Sequence, residues 1–301
     1  MRGDSAKVTA GGKGINVSRV IRAFDVNATL AVLVGALDST RYEELLEAEG
    51  AKFITVNHSG VVRVATIIFE ADNASTTIIN EKGSRVDKGE WSRFVAKVAA
   101  HVHPGEIVAC MGSFPVGIDE SSIQELIDVV KIAEGIVILD SSPEFLKFAI
   151  AAGVDIVAPN LDEAEALIQG KQSDHFIDDL TNAQERAEKA AQELVHRGSK
   201  IAFVTSGPVG VAIATPSSLD FIQGVKVNLV SAVGAGDSFV AGVMLKYEEM
   251  RNSGEVIDWK LIAAFGVATA SASCEEALSG GINVSRAKEI YEQILVSEVA
   301  I

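Results

Sequence analysis

The chain has 301 residues, 48% hydrophobic and 22% charged, which gives a sizeable core and separates it from disordered chains. A formal net charge of −15 argues against nucleic acid or an anionic membrane as the main partner, although a few Lys or Arg could still line a local positive pocket. Cys110 and Cys274 and five scattered His show no metal-ligand spacing, no run approaches roughly eighteen apolar residues, and no signal-peptide pattern is present, so buried free thiols and a cytoplasmic location are expected.

After a polar start, Gly11-Gly12-Lys13-Gly14 comes almost at once, and Val17, Val20, Ile21 and Phe24 mark one helix face behind it. Residues 30–34 read as a strand. Thr40 with Glu43 spells a capping box for a helix that stops at Gly50. Residues 61–70 and 76–79 are β-rich around Asp72-Asn73, with no helix between them. They predict an antiparallel hairpin inserted in the body, either a lid or dimer contact, or an edge extension of the main sheet. Asp87 with Glu90 opens a helix with Trp91, Phe94, Val95 and Val98 on one face. Residues 107–111, 136–139, 156–158 and 201–204 read as buried strands. Helices are expected at 123–130 and, capped by Thr181 with Gln184, up to His196. Three short strands are expected between 210 and 229. The β–α alternation with Val/Ile-rich strands predicts an α/β fold with a mostly parallel sheet covered by helices.

In such sheets ligands bind beyond the C-terminal strand ends. Four strand ends run into small or polar groups: Gly112-Ser113-Phe114-Pro115, Pro159-Asn160-Leu161-Asp162-Glu163, Thr205-Ser206-Gly207, and Val233-Gly234-Ala235-Gly236-Asp237. In the last of these, three small residues leave backbone N–H groups uncovered at a helix start, where the helix dipole favours an anion. Asp237 is a misfit beside an anion unless it acts as a base on a hydroxyl there; the plainer reading is an acidic helix cap. Asn160 and Glu163 could face a phosphate and a magnesium-bound water, or form an ordinary capping box. Ser206 and Gly207 could donate to nucleotide phosphates or form a β-turn. Gly11 to Gly14, with Asn16, is a second anion-friendly helix start, and it lacks both the Walker and the dinucleotide glycine order. Arg63 is either a phosphate ligand on the lid side or a solvated strand charge.

These segments, in this order and over nearly the whole chain, resemble the ribokinase-like (PfkB) carbohydrate kinase family. The residues that carry the resemblance are 10–19, Gly112 to Pro115, Pro159 to Glu163 and Val233 to Asp237. The GGKGIN and GSFPVG forms are most similar to the hexose-phosphate branch, which includes 1-phosphofructokinase and tagatose-6-phosphate kinase. The resemblance implies one kinase domain over residues 1–301. Its fold would be a three-layer α/β/α arrangement with a mostly parallel central sheet and a small β lid at about residues 54–85. It implies transfer of the ATP γ-phosphoryl group to a hexose phosphate, with magnesium; a non-catalytic sugar-phosphate or nucleotide-binding protein of the same fold is the alternative. Asp237 would be the catalytic base and Gly234, Ala235 and Gly236 the anion hole. Asn160, Glu163, Ser206, Gly207, Gly210 and Ala270 would serve the nucleotide, with Glu163 reaching magnesium through water. Gly12, Lys13, Asn16, Arg63 and Ser113 would hold the sugar phosphate, and the lid could form a homodimer. The family's first strand, with a sugar-gripping Asp, is expected ahead of the glycine motif, where residues 1–8 leave little room for it.

Overall fold

The computed structural model describes residues 7–70, 75–171 and 180–299. In chain order the elements are α1 (Lys13–Ala23), β1 (Thr29–Gly35), α2 (Ser39–Ala48), β2 (Lys52–His58), β3 (Ala65–Glu70), β4 (Ser75–Asn80), α3 (Lys88–Ala99) and β5 (Ile107–Met111). They continue with α4 (Glu120–Ile132), β6 (Ile136–Asp140), α5 (Pro143–Ala151), β7 (Ile156–Val157), α6 (Leu161–Gln169) and α7 (Ala183–His196). The chain closes with β8 (Ile201–Thr205), β9 (Gly210–Ala214), β10 (Leu219–Gln223), α8 (Ala235–Ser253), α9 (Trp259–Ser273) and α10 (Val284–Val299).

The main sheet has the order β10-β9-β8-β7-β6-β5; its β5-to-β8 part is parallel, and β9 and β10 are antiparallel. Period-2 alternation sends neighbouring side chains to opposite faces. Val137, Leu139, Val157, Ala202 and Val204 enter one core with Trp91 of α3, Ile127 of α4, Leu146 of α5 and Leu194 of α7. Ile138, Ile156, Ile201 and Phe203 enter the other, with Phe239 and Val243 of α8, Ala263 of α9 and Ile290 of α10. The sheet is thus buried on both faces in a three-layer α/β/α body, as its apolar runs predict.

Two small sheets stand apart. β1 pairs in parallel with β2, and β3 pairs antiparallel with β4. The hairpin is therefore present, but β3 starts at Ala65, so residues 61–64 form an irregular connector. Residues 54–58, at the start of the segment expected to form the lid, lie in β2. The Asp72-Asn73 turn and residues 1–6 are outside the described residues. Among the described residues, β1 and β5 each have a single strand partner.

Local signals succeeded and failed for identifiable reasons. The Asp87/Glu90 capping box forms as read. The one at Thr40/Glu43 does not: Asp38 takes the cap position, and Glu43 accepts a hydrogen bond from Thr55 Oγ1 of β2 at 2.6 Å. Asn182, in the left-handed region at φ 52°, takes the cap position of α7 in place of Thr181. Gln184 there donates to Glu188 and accepts from Gln223. Of the three strands expected over 210–229, only β9 and β10 form, and residues 224–234 are irregular.

Helix α8 is held by close approach to α9. A Cβ on Gly242 would sit 2.8 Å from the Gly266 Cα and 2.6 Å from Thr269 Oγ1. Because backbone is among the obstructing atoms, Gly242→Ala must push the helices apart. Overpacking of this kind costs about 1–3 kcal/mol, against a helix-propensity gain of at most about 1 kcal/mol. We expect a lower denaturant midpoint for Gly242→Ala; an unchanged or higher midpoint would contradict the packing argument.

Candidate active site

The N-termini of α1 and α8 meet at the C-terminal end of the main sheet. Gly12 caps α1 at φ 136°, which side chains rarely adopt, and its carbonyl accepts the N–H groups of Ile15 and Asn16. Gly234 caps α8 at φ 88° in the left-handed region. The N–H of Ala235, read from sequence as uncovered, donates to the Ala232 carbonyl at 3.2 Å. The free donors at this helix start are Gly234, Gly236 and Asp237, whose N–H groups have no acceptor among the described residues. A Cβ on Gly236 or Gly11 would meet no atom within 4 Å, so both glycines border open space.

Asp237 is the third residue of α8 and only 4% exposed. It accepts a 2.7 Å hydrogen bond from Asn16 Nδ2, which joins the two glycine motifs directly. Lys13 opens α1. Its Nζ donates to both carboxylate oxygens of Asp140, at 3.0 and 3.1 Å. A cation at a helix N-terminus opposes the helix dipole, so this pairing is what accommodates Lys13 there. Asp140 ends β6 and is buried. It follows directly on the strand expected over 136–139 and was given no role in the sequence; a lone Asp leaving an apolar strand was the available signal.

Asn160 and Glu163 form a reciprocal capping box at the start of α6, which is the plainer of the two readings of that pair. The box leaves Glu163 facing the same cluster. Burial, with the Asp140 charge behind it, pushes the Glu163 carboxyl up to about 7 against the opposing pull of Lys13. Burial also raises Asp237, to about 6, although Asn16 and Lys13 both favour its ionised form. For Lys13, burial disfavours the charge but is outweighed by Asp140, Glu163 and Asp237, which hold the ammonium above its ordinary value.

The remaining predicted residues are tied to this centre to different degrees. Gly112 turns at φ 87° beneath the Lys13 side chain, and Ser113 beside it is exposed. Ser206 donates through Oγ to the Gly210 carbonyl at 3.0 Å, closing a tight turn over Gly207. Its hydroxyl proton is therefore engaged within its own loop. Arg63 lies on the connector before β3, exposed, and acts electrostatically on Tyr42, whose hydroxyl donates to the Gly11 carbonyl. Ala270 lies in the last turns of α9, half-buried, outside the hydrogen-bonded cluster.

Two glycine-capped helix starts, a buried carboxylate between them and an adjacent lysine, all at the strand ends of an α/β sheet, define a site of the phosphoryl-transfer kind. The pattern of the pfkB family carbohydrate kinases matches residues 1–285, and the chain belongs to that family. It is thus a phosphotransferase acting on a sugar-type acceptor, in a family whose members use ATP. The chain is 27% identical over 296 residues to a 1-phosphofructokinase of Haemophilus influenzae, covering 96% of this chain and 87% of the relative. It is 26% identical over 293 residues to a tagatose-6-phosphate kinase of Staphylococcus epidermidis, covering 97% and 89%. Phosphofructokinase-2 from Escherichia coli, solved with substrates and products, superimposes with a TM-score of 0.80 at 26% identity, covering 97% of this chain and 90% of that one. The fold is the ribokinase-like one.

Because Lys13 favours the ionised form of Glu163, Lys13→Met should raise the Glu163 carboxyl above about 7. Carboxyl-carbon NMR titration of wild type and variant checks this; an unmoved Glu163 titration would refute the placement of that charge.

Proposed function

We propose that this chain is an ATP-dependent hexose-phosphate kinase with 1-phosphofructokinase activity. The observation that carries the proposal is the buried Asp237 beside the free N–H groups of α8, tied by Asn16 to the second glycine-capped helix. Asp237 takes the proton from the acceptor hydroxyl as that oxygen attacks the γ-phosphorus. The N–H groups of Gly234, Gly236 and Asp237, with Ala235 closing the turn, face the transferring phosphoryl group. Preorganised donors of this kind commonly supply the largest share of rate enhancement.

Gly12, Lys13, Asn16, Arg63 and Ser113 hold the phosphorylated sugar. Asn160, Glu163, Ser206, Gly207, Gly210 and Ala270 line the nucleotide side. In support, Gly11, Gly207 and Gly236 all have open space where a Cβ would stand, so backbone can approach a ligand there. The residues also fit magnesium brought in with the nucleotide. Lys13 is a single positive charge among Asp140, Glu163 and Asp237, so an anionic donor needs a further cation. Among the described residues no group of three or more His, Cys, Asp or Glu side chains is placed to hold a metal by itself. The ion in this proposal is held by nucleotide phosphates, waters and one carboxylate, here Glu163. When bound, magnesium neutralises charge on the phosphates.

Tagatose-6-phosphate kinase activity is the second reading, favoured by a relative of almost equal identity. The β3–β4 hairpin serves as a lid of the one kinase domain and as a self-association surface. Ile67 and Ile78, direct cross-strand partners, are 51% and 46% exposed. No helix among the described residues is long and apolar enough to cross a membrane; a cytoplasmic location is part of the proposal.

ADP release measured with magnesium-ATP and a panel of fructose 1-phosphate, fructose 6-phosphate and tagatose 6-phosphate tests the acceptor. Fructose 1-phosphate should give the highest kcat/KM, and absence of turnover with all three would overturn the proposal. Asp237→Ala should lower kcat by about two to four orders of magnitude, the range of general-base catalysis, with the fold intact by circular dichroism. In the wild type the base must be ionised, so kcat should fall as pH drops through about 6. A flat profile between pH 5 and 8 (roughly the span over which such a base titrates) would argue against Asp237 as the base.

A further inference from the structure

Arg19, one turn beyond Asn16 on α1, is engaged more completely than an ordinary surface arginine. Its Nε and Nη2 grip the two carboxylate oxygens of Glu49 at 2.7 Å each. Nη2 also donates to the Ala10 carbonyl at 2.6 Å, and Nη1 donates to the Ser279 carbonyl at 3.2 Å and to Asn16 Oδ1 at 2.8 Å. All five guanidinium donors are therefore placed, and the side chain is 10% exposed.

This pattern fixes Asn16. Arginine has no acceptor, so it can face only the amide oxygen of Asn16; an ionised carboxylate has no donor, so Asp237 can face only the amide nitrogen. One orientation of the amide satisfies both neighbours at once. The surroundings allow little drift. A Cβ on Gly280 would lie 2.7 Å from the Asn16 carbonyl, and one on Gly234 would lie 3.2 Å from the Ser279 Cβ. Arg19 thus ties the first glycine motif, the 278–281 loop and the end of α2 into one frame, and the 278–281 loop lies against the turn before α8.

We infer that Arg19, anchored by Glu49, is a positioning residue for phosphoryl transfer: it locks the Asn16 amide with its nitrogen toward Asp237 and so sets the direction in which that carboxylate meets the acceptor hydroxyl. Without Arg19 the amide can turn over and present its oxygen to Asp237, which repels the carboxylate and displaces it. Charge alone does not do this; the planar fork reaching Glu49 and Asn16 together does.

The inference rests on Asp237 being the base, and the test separates the two. Steady-state kinetics are measured for wild type, Arg19→Met, Glu49→Gln, Asp237→Ala and the Arg19→Met/Asp237→Ala double variant, with the hexose phosphate the wild type turns over best. Displacing a reacting group by an ångström can cost about a hundredfold, so Arg19→Met should lower kcat about tenfold to a hundredfold, with KM for ATP unchanged. In the Asp237→Ala background the same substitution should cost nothing further, because the group it positions is already gone. Glu49→Gln keeps one acceptor for two donors and should lower kcat by a smaller factor; it carries the test if Arg19→Met does not fold. A folded Arg19→Met or Glu49→Gln protein with wild-type kcat overturns the inference. An Arg19→Met loss that is the same in both backgrounds overturns it too, since a purely structural role behaves that way. Near-normal turnover by Asp237→Ala removes the base and the positioning role together, whereas an inactive Asp237→Ala beside an unimpaired Arg19→Met removes only the latter.

Discussion

The hydrogen bond from Asn16 to Asp237 connects residues 221 positions apart and holds the centre of the molecule in register. Each end sits in the first turn of a helix capped by a glycine with positive φ, so backbone conformation at two loops decides where the side chains meet. Those helices are in turn seated by packing. α8 lies against α9 through Gly242 and Gly266, and against α1 through an apolar cluster of Val17, Val20, Ile21 and Ala241. The site is therefore placed by the core, and the loops supply mainly donors.

Electrostatics at this centre run against the rest of the chain. A protein of net charge −15 brings Lys13 into a buried group of carboxylates and pairs it with Asp140 at both oxygens. All three of the acids, Asp140, Glu163 and Asp237, are raised toward neutrality mainly by burial. Acids shifted in this way near one cation are common where protons and anions are handled, and the family assignment gives that general expectation a specific setting.

Much of the fold was legible in the sequence because its signals were local and cooperative. Val/Ile runs gave the strands of the main sheet, and Asp87 with Glu90 gave a true helix start. Where a signal failed, a residue had found a partner far along the chain. Glu43 was drawn to Thr55 on a neighbouring strand, and Gln184 to Gln223. β2 escaped notice because its one-sided pairing with β1 leaves its residues half-buried, so it carries no continuous apolar run. At the site, the glycine motifs and Asp237 were readable because few residues permit those turns. Asp140 and the role of Arg19 were not, since a lone acid and a helical arginine acquire meaning only from what faces them.

Helix α1 packs on both β1 and β5, which belong to separate sheets with no ladder bonds between them among the described residues. A continuous sheet resists shear through its backbone; two sheets joined by a helix resist it only through side-chain packing. Lys13, Asn16 and Arg19 all ride on that helix, while Asp140 belongs to the larger sheet. Lys13 therefore stands at the junction of the two sheets, on the helix that packs against both. Through Arg19 and Glu49 that junction extends to the end of α2, so three elements outside the main sheet are fastened to the site by side chains rather than by backbone ladders.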